Sequence, residues 1–254
     1  MRAFLAFTKK EWLELIRTGK CVLLLILFTL FGIMNPAIAK LTPWMMEMLS
    51  ADLSDMGLIL TETNVDALTS WAQFYKNIPM GLLIFLLLFG GILTTEYQRG
   101  TLVHMLTKGL KRWKVILAKA GVMVSAWTLC YWLCFGITYG YNQYFWDNRA
   151  AEHLLFAAFC TYLGGIWMIS LLLLMSVIFT TSSGVLAATG GAALSFYLAG
   201  FIPKITEYLP VRLLGASGML SGLETPNDYR YAVWITLCLS GAAVLLAVKL
   251  FNRK

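Results

Sequence analysis

The chain has 254 residues, of which 59% are hydrophobic and 13% charged, with a mean hydropathy of +0.72. A soluble domain averages about 45–50% apolar and 25% charged residues, so this composition excludes a soluble enzyme and requires an integral membrane protein. The net charge of +7 is unevenly placed: residues 1–20, 96–119 and 249–254 carry fourteen of the twenty Lys and Arg against three acids, and the remainder carries six against ten. That asymmetry places these three segments on the cytoplasmic side, and a basic face beside anionic lipid accounts for the charge without a nucleic acid.

Residues 3–17 (AFLAFTKKEWLELIR) read as an amphipathic helix lying in the interface. Phe4, Leu5, Trp12, Leu15 and Ile16 share one arc, and Lys9, Lys10, Glu14 and Arg17 the other. A first span follows over about 21–39, with Pro36 near its outer end as a point of kink or break. Residues 40–77 form an acidic external segment in which Asn64 is expected to cap a short helix carrying Val65, Leu68, Ala72 and Tyr75 on one face. Trp44 and Trp71 suit interfacial positions.

Span 2 is expected over about 78–95, and the strongly basic run EYQRGTLVHMLTKGLKRWKVILAK follows it. Read as a helix from Thr101, the run puts Leu102, Leu106, Leu110 and Trp113 on one stripe and Lys108, Lys111 and Arg112 opposite. Glu96 stands three residues before Arg99, the spacing of a helical ion pair. Further spans are expected over about 115–139, 154–179, 184–202 and 231–250. Tyr139, Tyr141, Tyr144, Phe145 and Trp146 form an aromatic belt, and residues 203–230 are too broken by proline to span, so they read as short re-entrant or interfacial helices. Six spans place both termini inside.

Three catalytic or nucleotide-binding motifs are incomplete or missing in this sequence. Gly215-Ala216-Ser217-Gly218 has the G-x-S-G form of an intramembrane serine protease, but both histidines, His104 and His153, precede it and leave the serine without its later base. There is no H-E-x-x-H and no G-x-x-x-x-G-K-[ST], so neither a zinc protease nor a P-loop nucleotide site is built here. The five cysteines lie in or beside apolar runs without C-x-x-C spacing and read as small hydrophobes. The spans are expected to contain no buried charges of the kind that mark ion-coupled transport.

The order of an amphipathic N-terminal helix, a span, a long outer segment, a second span and then E-Y-Q-R-G-T-L…L-T-K-G-L-K-R-W-K-V-I-L-A-K resembles the ABC-2 type permeases of ABC transporters. Glu96, Arg99-Gly100-Thr101 and Lys119 carry the motif, while Gly109 stands where many members have proline. The resemblance implies one transmembrane domain over 1–254, all-α, with six spans in the cell membrane. It implies a connecting helix with Lys9, Lys10, Trp12 and Arg17 and a coupling helix between spans 2 and 3. Glu96, Arg99, Gly100, Thr101, Leu102, Leu106, Lys108, Gly109, Lys111 and Arg112 would make up the ATPase-coupling region, running to about Lys114. Two copies of a separately encoded ATP-binding subunit would carry ATP and Mg, this chain holding no cofactor, metal or catalytic residue of its own. A second permease subunit, as a homodimer, would complete the complex. The expected activity is export of an amphipathic or hydrophobic compound such as a peptide antibiotic, drug or lipid. The alternatives are maturation of a membrane or periplasmic partner, or an ATP-independent channel or enzyme.

Overall fold

The structure is a computed structural model that describes residues 2–54, 66–98, 100 and 111–253. Among these residues every regular element is helical, and six helices are long and apolar enough to cross a membrane: Lys20–Met45, Ala67–Gln98, Arg112–Phe145, Leu154–Ile178, Ser182–Ala199 and Pro226–Arg253. The protein is therefore an all-α integral membrane protein, as the composition requires.

Helix α1 (Arg2–Arg17) is separated from α2 (Lys20–Ser54) by a turn in which Gly19 takes a positive φ. Helix α2 runs unbroken through both Pro36 and Pro43, so the expected break at Pro36 does not occur. The reason is local. Pro36 has no N–H for the carbonyl of Gly32, and the hydroxyl of Thr138 on span 3 donates to that carbonyl instead, at 3.2 Å. Beside it, the Asn35 amide donates to Thr138 Oγ1 at 3.1 Å and accepts from Asn77 Nδ2 at 2.7 Å, tying three spans together.

Helix α3 (Ala67–Phe89) begins at Asp66, whose carboxylate accepts from the Thr69 N–H at 3.1 Å. Asp66 is thus the cap expected at Asn64, which lies outside the described residues with Val65. The expected short outer helix is continuous with span 2. Trp71 also departs from expectation: it is fully buried rather than interfacial, its indole N–H donating to Asn148 Oδ1 at 3.1 Å. Trp44, by contrast, is exposed.

The second span is interrupted. After Gly90 and Gly91 the chain turns, and a short helix α4 (Thr94–Gln98) completes the span. Ile92 donates to Phe89 O, so the Leu88 carbonyl loses its helical partner; Lys20 Nζ replaces it at 2.8 Å. Two adjacent glycines, poor helix formers, sit where the helix breaks.

Helix α5 (Arg112–Phe145) carries the core. Trp127 is fully buried among Phe28, Phe85 and Tyr131, with ring centroids 5.9, 5.6 and 5.6 Å away. It packs so closely on Gly165 of α6 (Leu154–Ile178) that any β-carbon there would collide with the indole. Thr181 caps α7 (Ser182–Ala199), accepting from the Gly184 N–H at 3.2 Å. At 18 residues and about 1.5 Å per residue, α7 is just long enough to cross. Only Val185 and Thr189 of this helix are buried.

Residues 203–229 fold as the short helices α8 (Pro203–Thr206) and α9 (Val211–Leu214) and two 3-10 turns, Ala216–Ser221 and Pro226–Tyr229. Leu213, Ala216 and Met219 are fully buried, and Thr161 of α6 donates to Leu213 O at 3.2 Å. The expected short helices between spans 5 and 6 are present, with their backbone held against protein. Helix α10 (Arg230–Arg253) closes the bundle.

Candidate functional site: a buried ring of charges beside the basic segment

Helix α1 does not rest on the bundle by the arc its amphipathicity suggests. Leu5 and Ile16 are exposed, whereas Phe7, Glu11 and Leu15, one turn apart, face inward. An acid therefore stands in the middle of the buried stripe. Helix α4 brings Glu96 to the same place, and the first turns of α5 bring Lys119. Lys119 is 2% exposed, Glu96 6% and Glu11 7%, so the expectation that the spans hold no buried charge is overturned.

The four charges of Lys10, Glu11, Lys119 and Glu96 form a closed ring of alternating sign. Lys119 Nζ donates to Glu11 Oε2 at 2.9 Å and lies 3.1 Å from Glu96 Oε2, close enough for ion pairing although off the line of a hydrogen bond. Lys10 Nζ reaches the opposite oxygens, Glu11 Oε1 at 2.9 Å and Glu96 Oε1 at 3.0 Å. It also pairs with the exposed Glu14 at 2.8 Å. The Phe7 ring lies near both ammonium groups, 5.5 Å from Lys10 and 5.8 Å from Lys119, within the range of a cation–π contact. A buried ion is tolerated only when paired and hydrogen-bonded. The ring meets that condition by drawing on three elements, two charges from α1 and one each from α4 and α5.

Titration follows from these contacts. Burial alone would lower the pKa of Lys10, but hydrogen bonds to Glu14 and Glu11 outweigh it and hold the ammonium above its usual range. Burial would raise Glu14, and the hydrogen bond from Lys10 outweighs it to hold that carboxyl below the usual range. The oxygens of Glu11, Glu14 and Glu96 approach within 4.8 Å of one another, a spacing that suits a metal ion. Lys10 Nζ already lies within 3.0 Å of all three, so the position of the cation is filled by an ammonium.

The remaining sequence-nominated residues are distributed unevenly. Lys9 and Arg17 are exposed and Trp12 is half-buried. The ion pair that spacing offers between Glu96 and Arg99 falls on a residue outside the described ones; among the described residues the Glu96 carboxylate pairs with Lys10 and Lys119. Gly100 takes φ +68, donates to Tyr97 O at 3.2 Å and ends α4. A left-handed residue at that point stops the helix, and glycine adopts it without strain. Arg99, Thr101, Leu102, His104, Leu106, Lys108 and Gly109 lie outside the described residues. Lys111 is exposed and extended, and span 3 begins at Arg112, so a coupling helix running to Lys114 is corrected: Arg112, Trp113 and Lys114 belong to α5. Arg112 is half-buried, and its guanidinium donates to Phe251 O at 3.5 Å, toward the end of α10. Ser217 is exposed, and among the described residues no imidazole is its hydrogen-bond partner.

Glu11 and Lys119 were not nominated as site residues. The available signal was Glu11 at four residues from both Phe7 and Leu15, an acid on an apolar stripe, which demands a buried cation nearby.

Fold and ring together define a helical multi-pass membrane protein in which an amphipathic N-terminal helix is ion-paired to residues at both ends of the segment joining spans 2 and 3. A family model described as ABC-2 family transporter protein matches residues 5–220, and the chain belongs to that family. It is a permease subunit of an ABC transporter, and membership implies an ABC ATP-binding subunit as partner. No curated protein and no solved structure matches the chain significantly.

Proposed function

We propose that the chain, read as one domain over 1–254, is the permease half of an ATP-driven exporter of amphipathic or hydrophobic compounds. It lies in the cytoplasmic membrane with both termini inside. The segment 99–111 is the coupling element that seats on the ATP-binding subunit, where ATP and Mg are held. The observation that carries this reading is the ring of Lys10, Glu11, Lys119 and Glu96. Glu96 precedes the segment and Lys119 follows it, so a push on the segment is delivered to α1, α4 and α5 as one body. Rigid-body movement of such a unit would rock spans 2 and 3 against the rest. Helix α7 buries only Val185 and Thr189, which leaves most of its surface for a second copy of the chain and for the pathway between the two copies.

The test is reconstitution in vesicles with the ABC ATP-binding subunit. Arg112 is left intact because it reaches the end of α10. Lys108→Glu with Lys111→Glu is expected to insert and fold normally, while co-elution of the ATP-binding subunit and ATP-driven export of an amphipathic dye each fall at least tenfold. Normal co-elution and export by this double variant would remove the docking role from the segment.

A further inference from the structure

A groove of about 830 Å³ opens between α5 and α6 at the end of the bundle away from the charged ring. It is lined by apolar side chains, among them Phe135, Leu155 and Phe156, and by polar ones, among them Asp147, Arg149 and His153. We infer that this groove binds a phospholipid with a phosphoethanolamine head. Arg149 and His153 would take the phosphate, Asp147 the ammonium, and one acyl chain would lie along Phe135, Leu155 and Phe156.

Four observations support that ligand over others. The charged groups are exposed: Arg149 and Asp147 are 94% and 60% exposed and 3.9 Å apart, a separation at which exposed ions hold one another weakly, while Asp147 Oδ1 also accepts from the Arg149 N–H at 3.0 Å and leaves Oδ2 for a ligand. Both signs are present, which complements a zwitterion better than a simple anion. His153 makes no side-chain cap for α6, and among the described residues its imidazole has no hydrogen-bond partner. Finally, the turn bearing these groups is held in place. Asn148, between Asp147 and Arg149, donates to Tyr139 O at 3.1 Å and to Gln143 Oε1 at 3.2 Å, and accepts from the Trp71 indole. Recognition groups on an immobilised turn lose little entropy on binding. The volume suits a head group and part of one chain rather than a whole lipid, as expected for a site open to the bilayer.

The experiment uses the full chain in nanodiscs of phosphatidylcholine containing 5 mol% of a photoactivatable phosphatidylethanolamine, about one probe in twenty lipids, with cross-linked peptides mapped by mass spectrometry. Adducts are expected to concentrate on residues 135–156 and to fall at least threefold in Arg149→Glu. Leu155→Trp, which fills the groove and leaves the charged groups in place, should lower them comparably. Asp147→Asn should abolish the preference over a matched phosphatidylglycerol probe. Adducts spread evenly over all spans and unchanged in these variants would mean bulk lipid only and would overturn the site. Labelling by an added amphipathic peptide in preference to the lipid would overturn it equally. Because no ATP-binding subunit is needed, failure here is separable from failure of the transport reading.

Discussion

The two ends of this bundle are fastened by different forces. At the end bearing both termini, α1, α4 and α5 meet through full charges on Lys10, Glu11, Lys119 and Glu96. At the far end, α3 meets α5 and the turn that follows it through neutral groups: Trp71 donates to Asn148 of the turn and packs on Phe135 of α5 with centroids 5.1 Å apart, and Phe74 packs on Tyr131 and Phe135 at 5.8 and 6.0 Å. Neutral hydrogen bonds and close-packed rings weaken steeply with small displacements, whereas the attraction between ions falls only with the inverse of distance. The attraction at the charged end therefore decays more gradually with displacement than the contacts at the aromatic end.

The sharpest way to break the comparison is at Lys119. Lys119→Met removes the only fully buried cation of the ring and leaves Glu11 and Glu96 facing each other. Loss of one partner from a buried pair costs roughly 3–5 kcal/mol, to be read as a lowered thermal midpoint in detergent and increased proteolysis of α1. Adding Glu11→Gln should recover part of the loss, and the double-mutant cycle should give a coupling of about 1–3 kcal/mol. Strict additivity would mean the ring does not act as a unit.

At the neutral end the expected effect is smaller. Asn148→Ala leaves the buried Trp71 indole N–H without its acceptor, a cost of about 1–3 kcal/mol measured in the same way, with α1 remaining protected from protease. If α1 were released as readily as in Lys119→Met, the two ends would not be independent. Thr181→Ala, which removes the cap of α7, should cost about 0.5–2 kcal/mol and should alter neither end.

The smallest effect comes from pH. Glu14 has a lowered pKa in the fold, so its contribution is present above the ordinary carboxyl range, near pH 4.3, and is lost as pH falls through its lowered value. Lys10 has a raised pKa, so its contribution is complete below the ordinary lysine range, about pH 10.4, and is lost only as pH rises through the higher folded value. Attachment of α1, followed by protease protection, is thus expected to be flat between about pH 5 and 9 and to weaken in acid. A transition near neutrality would point to a different titrating group.

Much of this was legible in the residues alone. The spans, the basic segment after span 2, the amphipathic N-terminal helix and the short helices near residues 203–230 all follow from local hydropathy, charge and proline placement. One miss was local: Asn64 was the expected cap, and the formed helix shows Asp66 accepting from the Thr69 N–H. In the other two the deciding partner was distant. Pro36 looked like a breaker because its remedy, Thr138, is 106 residues from the Gly32 carbonyl it satisfies. Trp71 looked interfacial because its buried acceptor, Asn148, is 77 residues away.

By itself the sequence determined which segments are long and apolar enough to cross a bilayer, which segments collect the positive charge and which family the chain resembles, since these depend on composition and on patterns a few residues long. Only the tertiary structure decided that Glu11 meets Lys119 across 108 residues and that Lys10 meets Glu96 across 86. The physical reason is that a helix specifies which side chains share a face. Which opposite charge that face will find depends on how the helices pack.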